Sequence, residues 1–437
     1  MLNKLFAFTQ SKTEWLYKNS LIIQNIDMLI LISILAVFVS SIFAQSETIG
    51  YFAIITSALT LINLFFRKGD CIECKKFELF LLAYFMIVII SLFGSTLFVQ
   101  SFKGFIKVVI YLGFYLSLVQ YLKHNKEKIW WIIYTIAACL SIEIFQGLIQ
   151  TVIRPEAIST WQDTTYLNPE QIINRVYGTL KPLNPNLFGG YLVAAIPALI
   201  AAFVHFLYKN NKALYIPLSI ITILSFYILL QTGCRGAYLG LFAIIIFLIA
   251  ISYKLFKAEY KKAYLSFAGI ISSLSILILL SVTSFRARIF SIFAMRTDSS
   301  NSFRFNVYNS CIQMFQDNWL LGIGLGNSNF REIYGLYMKT GFDALSAYNI
   351  YLETAVESGI FALLTWVSFL ILVIYNAYKY ITTKEFSSDV IIVIAALASI
   401  IGLIVHGFVD TVFFRPQIQF TFWTMVAIIR VQTNKIS

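Results

Sequence analysis

Charge is what this sequence has least of: of 437 residues only 12% are Asp, Glu, Lys or Arg, whereas 59% are hydrophobic. A water-soluble core cannot hide that much apolar surface, which excludes an ordinary soluble domain. Histidine is nearly missing, with only His124, His205 and His406 in the chain. Proline (seven) and cysteine (five) are also few. Cys71 and Cys74 make a single CxxC pair with no second pair and no nearby histidine, so they read as two reduced thiols and not as half of a zinc site. Cys139, Cys234 and Cys311 are scattered and suit core packing. Nothing in these spacings calls for a metal or a cofactor. The glycine run "LLGIGLGN" (Gly322, Gly324, Gly326) has no preceding strand and no following Lys-Ser/Thr, which makes it a turn and not a phosphate loop.

What is present is a set of about twelve long apolar runs, near residues 28–44, 49–66, 78–99, 104–122, 129–150, 187–207, 214–232, 236–253, 264–283, 350–376, 390–409 and 416–432. Each approaches the roughly 20 apolar residues that a spanning helix needs. Lipid offers no partner to an open strand edge, and the runs are too long for barrel strands, so the expected fold is all-α: a polytopic membrane helix bundle. The first 27 residues, with Lys4, Lys12, Glu14, Lys18 and Asp27 and no small-residue cleavage pattern, read as a retained cytosolic tail.

Two connections exceed turn length. Residues 151–186 hold Pro155, Pro169, Pro182 and Pro185 and should be irregular, with at most a short helix around Pro169 to Arg175. Residues 284–349, between the ninth and tenth runs, form the large extracytoplasmic loop, in which Asp298, Ser299 or Ser300 can cap a surface helix. Residues 1–150 thus carry the first five spans, and residues 151–437 the remaining seven with both loops.

With the N-terminus inside, 20 of the 33 Lys and Arg fall in cytosolic segments and 12 in external ones, while Lys107 lies within a helix. This places both termini on the cytosolic or stromal side of a bacterial inner membrane or a plastid membrane. The net charge of +12 then reports topology and requires no nucleic acid. The cytosolic set is 18 Lys and 2 Arg, the external set 9 Arg and 3 Lys. Arginine's planar fork holds carboxylate, bicarbonate or phosphate oxygens in pairs, which lysine cannot do, so the split points to an external anion site.

Polar residues inside the spans refine the place. Glu143, Gln146 and Gln150 share one face of the fifth span; Asn349, Glu353 and Glu357 recur every fourth residue in the tenth; His406 and Asp410 form an i, i+4 pair with Arg415 beyond. Such groups face a wet cavity or pair with one another. The spans starting "LNPN", "CRGA", "SAYN" and "RPQ" direct partly positive N-termini outward. Together with Arg235, Arg304 and Arg415 they would suit an anion. His406, Asp410, Glu143 and Glu357 are the candidates for a structural polar cluster.

The stretches "TGCRGAYLGLF", "FRFNVYNSCIQMFQDNWLLGIGLGN" and "YLETAVESGIFAL" resemble the O-antigen ligase and polysaccharide polymerase (Wzy-like) superfamily. Within it, "TYLNPEQIINRVYGTLKPLNPNLFGGYLVAAIPA", "MRTDSSNSFRFNVY", "ALSAYNIYLETAVESG" and "HGFVDTVFFRPQIQFTFW" look most like a cyanobacterial, bicarbonate-transporter-like branch (the IctB type). The likeness covers roughly residues 150–430. It implies transfer of a glycan from a polyprenyl diphosphate carrier at the outer face, or alternatively handling of inorganic carbon. By the same resemblance Arg235 and Arg304 match the diphosphate-binding arginines; Arg288, Arg415 and Asn349 are the further candidate anion contacts, from the residues themselves. The family's loop histidine falls at Tyr348, so Tyr348 and Glu353 stand as the candidate catalytic residues.

Overall fold

In a computed structural model of the protein, residues 4, 7–11, 15, 19–67, 73–153, 174–294 and 298–435 are described, and they are helical with no strand among them. All twelve apolar runs fold as helices. In chain order the helices are α1 (Ile26–Ser41), α2 (Ser46–Phe66), α3 (Lys76–Gly94), α4 (Phe98–His124), α5 (Ile129–Ile153), α6 (Pro185–Tyr208), α7 (Lys212–Gln231), α8 (Arg235–Leu255), α9 (Ala258–Ser281), α10 (Thr283–Phe290), α11 (Ser299–Asp317), α12 (Asn327–Tyr334), α13 (Ile350–Thr383), α14 (Ser388–His406) and α15 (Pro416–Gln432). Among the described residues, ten of these are long and apolar enough to cross a membrane. The other two of the twelve runs, α1 and α15, are shorter, at 16 and 17 residues.

The starts obey local chemistry. Asn184 caps α6 and Asn349 caps α13, each accepting from two backbone N–H groups of the first turn. Asp298 caps α11 through the Asn301 N–H at 2.9 Å. Pro185 and Pro416 occupy the first turn of α6 and α15, where no hydrogen-bonded N–H is needed. The core gathers around α6, α8, α14 and α15; from Gln417 to Gln432 every residue of α15 is buried. By contrast α9 buries none of its residues and stands at the edge.

The segment 282–349 is fastened to the bundle where α13 breaks. Gly359 takes φ +81° inside α13, which frees the carbonyls of Val356 and Glu357 to accept from Ile323 and Gly324 at 2.9 Å each. The Glu357 carboxylate accepts from Gly326 at 2.8 Å. Gly322, Gly324 and Gly326 all have positive φ, and a Cβ at Gly322 would lie 2.4 Å from the Glu357 carbonyl carbon, so only glycine permits this approach. Non-helical backbone near the bilayer is tolerated here because protein surrounds and satisfies it. The glycine run is therefore a docking turn that folds onto α13.

The other long connection is described only from residue 174. Residues 169–173 of the expected short helix lie outside the described residues, and Asn174 and Arg175 are not helical. The polar face of α5 holds residues 177–179 in place. Gln150 accepts from Tyr177 and Gly178 at 2.9 and 3.0 Å and donates to the Gly178 carbonyl at 3.0 Å. Glu143 accepts from the Thr179 N–H at 3.0 Å and from its hydroxyl. The stripe on α5 is thus a clamp on the extended segment and not a cavity wall.

Candidate functional site

The helix starts of α6, α8 and α15, the residues before α13, and the segment 282–349 enclose a cavity of about 1240 Å³. Among the described residues, eight cationic side chains line it against four carboxylates, so their field is positive. The cations come from α4 (Lys103, Lys107), from the extended segment (Arg175), from the start of α8 (Arg235), from the loop helices (Arg288, Arg304, Arg331) and from the start of α15 (Arg415). On the side of α2 and α4 the wall turns apolar with Ile54, Ile106 and Ile110. Ile54 and Ile106 are exposed.

Arg235 opens α8. Its Nη1 donates to Asp298 Oδ1 at 2.9 Å and to the Ser291 carbonyl at 3.1 Å, while Nη2 is buried without a hydrogen-bond partner among the described residues. Since Asp298 also caps α11, one carboxylate ties the loop helix to the transmembrane arginine. Arg304, one turn into α11, approaches Asp410 Oδ2 with Nη2 at 3.7 Å, and its Nε is buried without a partner among the described residues. Its guanidinium lies 5.8 Å from the centre of the Tyr348 ring, near the outer limit of a cation–π contact. Arg288 donates through Nε to the Gly233 carbonyl at 2.8 Å. Burial, then the neighbouring Arg175, pushes the Arg288 pKa down to about 10. Arg175 donates to the Thr232 carbonyl at 2.6 Å and to Asn186. Buried guanidinium groups at such close quarters are electrostatically unfavourable until an anion joins them.

Not every sequence candidate faces this cavity. Asn349 commits its side chain to the cap of α13 and to the Phe408 carbonyl at 3.0 Å. Glu353 accepts from the Ala347 N–H at 3.0 Å behind the wall, and Glu357 holds Gly326. Tyr348 does line the cavity, in a left-handed backbone conformation with φ +50°, rare for a bulky residue. Burial, then Asp410, raises its phenol pKa above the usual value, so at neutral pH it is a hydrogen-bond donor and a poor base.

The expected i, i+4 helical pair of His406 and Asp410 is not formed, because α14 ends at His406 and Asp410 sits in the turn beyond it. Asp410 Oδ1 accepts from the N–H groups of Thr411 and Val412 at 2.8 and 3.2 Å, and its ion-pair partner is Arg304. His406 instead lies with Nε2 3.8 Å from Cys234 Sγ. Arg175, Lys103 and Lys107 also belong to the cavity, although no sequence motif singles them out. The expected external bias toward arginine was the available signal for Arg175 and the charge inside a span the signal for Lys107; nothing marked Lys103.

No curated protein matches the chain. The O-antigen ligase family model matches residues 220–367, from the middle of α7 to the middle of α13. Over that stretch, which holds Arg235, Arg288, Arg304 and Tyr348, this membrane protein is similar to O-antigen ligases.

Proposed function

We propose that the protein binds a polyprenyl diphosphate-linked glycan in the arginine-lined cavity and transfers the glycan to an acceptor at the outer face. The observation that carries this reading is the pair of buried, unpartnered guanidinium nitrogens, Arg235 Nη2 and Arg304 Nε, in a cavity with twice as many cations as carboxylates. A diphosphate offers acceptor oxygens to several such donors at once. The apolar wall of α2 and α4 suits the lipid chain beside it, and the size of the cavity suits a carrier with its sugar far better than bicarbonate. In the transfer, the acceptor oxygen bonds to the anomeric carbon as the bond from that carbon to the phosphate oxygen breaks, and the acceptor proton passes to the departing diphosphate. Negative charge grows on the departing diphosphate, and preorganised arginines stabilise that charge most strongly where it develops. Arg235 and Arg304 would bind the leaving group, and Tyr348 would donate a hydrogen bond beside it.

The test is binding of a photoactivatable polyprenyl diphosphate to the full chain in nanodiscs. Wild-type protein should be labelled, and Arg304→Lys should lose labelling about tenfold or more although charge is kept, because the fork is lost. Labelling that is absent from folded wild-type protein would overturn the proposal. So would bicarbonate flux in proteoliposomes that is blocked by Arg304→Lys, with no lipid binding.

A further inference from the structure

Behind the arginines, three side chains from distant parts of the sequence converge. Cys234 caps the start of α8, His406 ends α14, and Asp410 lies in the turn that leads to α15. One ligand-capable atom from each, Sγ, a ring nitrogen and a carboxylate oxygen, lies within 4.8 Å of the other two. All three residues are at most 4% exposed. Asp410 Oδ1 is used by the backbone, whereas Oδ2, among the described residues, is buried without a hydrogen bond and meets Arg304 at ion-pair range. The backbone makes room for the imidazole: a Cβ at Gly236 would lie 2.5 Å from His406 Cδ2.

We propose that Cys234 Sγ, His406 Nε2 and Asp410 Oδ2 form a site for a divalent ion of the zinc class, with the fourth coordination position open to the cavity. Thiolate, imidazole and carboxylate are the donors that zinc takes, and three protein ligands with one open position is the pattern of a reactive site. Tetrahedral geometry with the usual bond lengths places sulfur and nitrogen about 3.5 Å apart. The observed 3.8 Å between Sγ and Nε2 is already close to that. A divalent ion bound by a thiolate and a carboxylate forms a neutral unit; with one thiol proton released, binding raises the charge of the site by one, which favours an anionic ligand at the open position. Cys234 and Asp410 both line the cavity, which gives an ion and an anionic ligand access from that side. Occupancy would also draw Asp410 Oδ2 away from Arg304 and leave that guanidinium to the cavity. The ion site stands independently of glycan transfer, since its readout is the ion itself.

The experiment uses the full chain in detergent with Cys71→Ser and Cys74→Ser, which removes the CxxC pair as a competing site. Metal is stripped with a chelator and cobalt(II) is titrated in. One equivalent should bind, with a thiolate-to-cobalt charge-transfer band and the intense visible bands of a tetrahedral ion, both displaced by zinc. Cys234→Ser should abolish the charge-transfer band, and Asp410→Asn should keep the band but weaken binding by about a hundredfold, at least as much as loss of an outer-shell partner costs. Inorganic diphosphate should perturb the visible bands; their indifference to it would overturn the open fourth position. A folded parent protein, by its melting curve, that shows no band would leave a hydrogen-bonded thiol–imidazole pair only and overturn the site. A band that survives in Cys234→Ser would do the same.

Discussion

Buried arginines sit at both ends of this bundle, and their surroundings differ. At the end opposite the cavity, Arg430 of α15 donates through Nε to Glu78 of α3 at 3.0 Å, through Nη1 to Asn434 at 2.8 Å and through Nη2 to the Glu73 carbonyl at 3.4 Å. Glu78 is satisfied in turn by Tyr115 at 2.7 Å and by the Lys75 N–H at 2.6 Å. At the cavity end, Arg235 and Arg304 each keep a buried nitrogen with no partner among the described residues. A closed network holds helices together; an open one, aimed into a cavity, waits for acceptors that the chain does not supply. Burial alone would class Arg235 with Arg430, and satisfaction separates them.

The largest expected effect breaks the closed end. Glu78→Ala strands a buried guanidinium and should cost about 3–5 kcal/mol, whereas the double change Glu78→Leu with Arg430→Met should recover much of that loss. Folded yield and melting temperature in detergent measure both, and a parent-like melting curve for Glu78→Ala would erase the contrast between the two ends. Next, Arg235→Lys should weaken binding of a diphosphate lipid about tenfold to a hundredfold, the worth of one or two hydrogen bonds to a charged group, with little change in melting. If melting falls as far as it does for Glu78→Ala, the cavity arginine is structural after all.

A smaller effect tests the docking turn that shapes the cavity from the loop side. Gly326→Ala forces a side chain into φ +102°, which should cost about 1–3 kcal/mol and be read as a lower melting temperature. Proteolysis between α12 and α13 should rise with it. The smallest effect separates a cap from an anion contact. Asn349→Ala should cost about 1 kcal/mol of stability through the lost cap of α13, with diphosphate-lipid affinity unchanged. A clear drop in affinity at unchanged melting would return Asn349 to the site.

The sequence by itself determined the class and the frame. Twelve apolar runs had to become helices because lipid leaves backbone groups no other partner, and Asp298 was legible with Ser299 and Ser300 as a possible cap, whereas Asn349, read from sequence as an anion contact, is a cap by the structure. The arginine bias of one side was legible as well, since a charge count needs no coordinates. What each polar side chain touches was not legible, because periodicity orders residues along one helix and says nothing of the helix opposite. The tertiary structure decided that Glu143 clamps residues 177–179, that Glu357 holds the glycine turn, and that Asp410 faces Arg304 from the far side of the large loop. It also brought Cys234 to His406 across 172 residues, through the packing of α8 against α14. Partners at such separations are selected by which helix faces pack together, and that choice is made by the whole core at once, with no local signal to announce it.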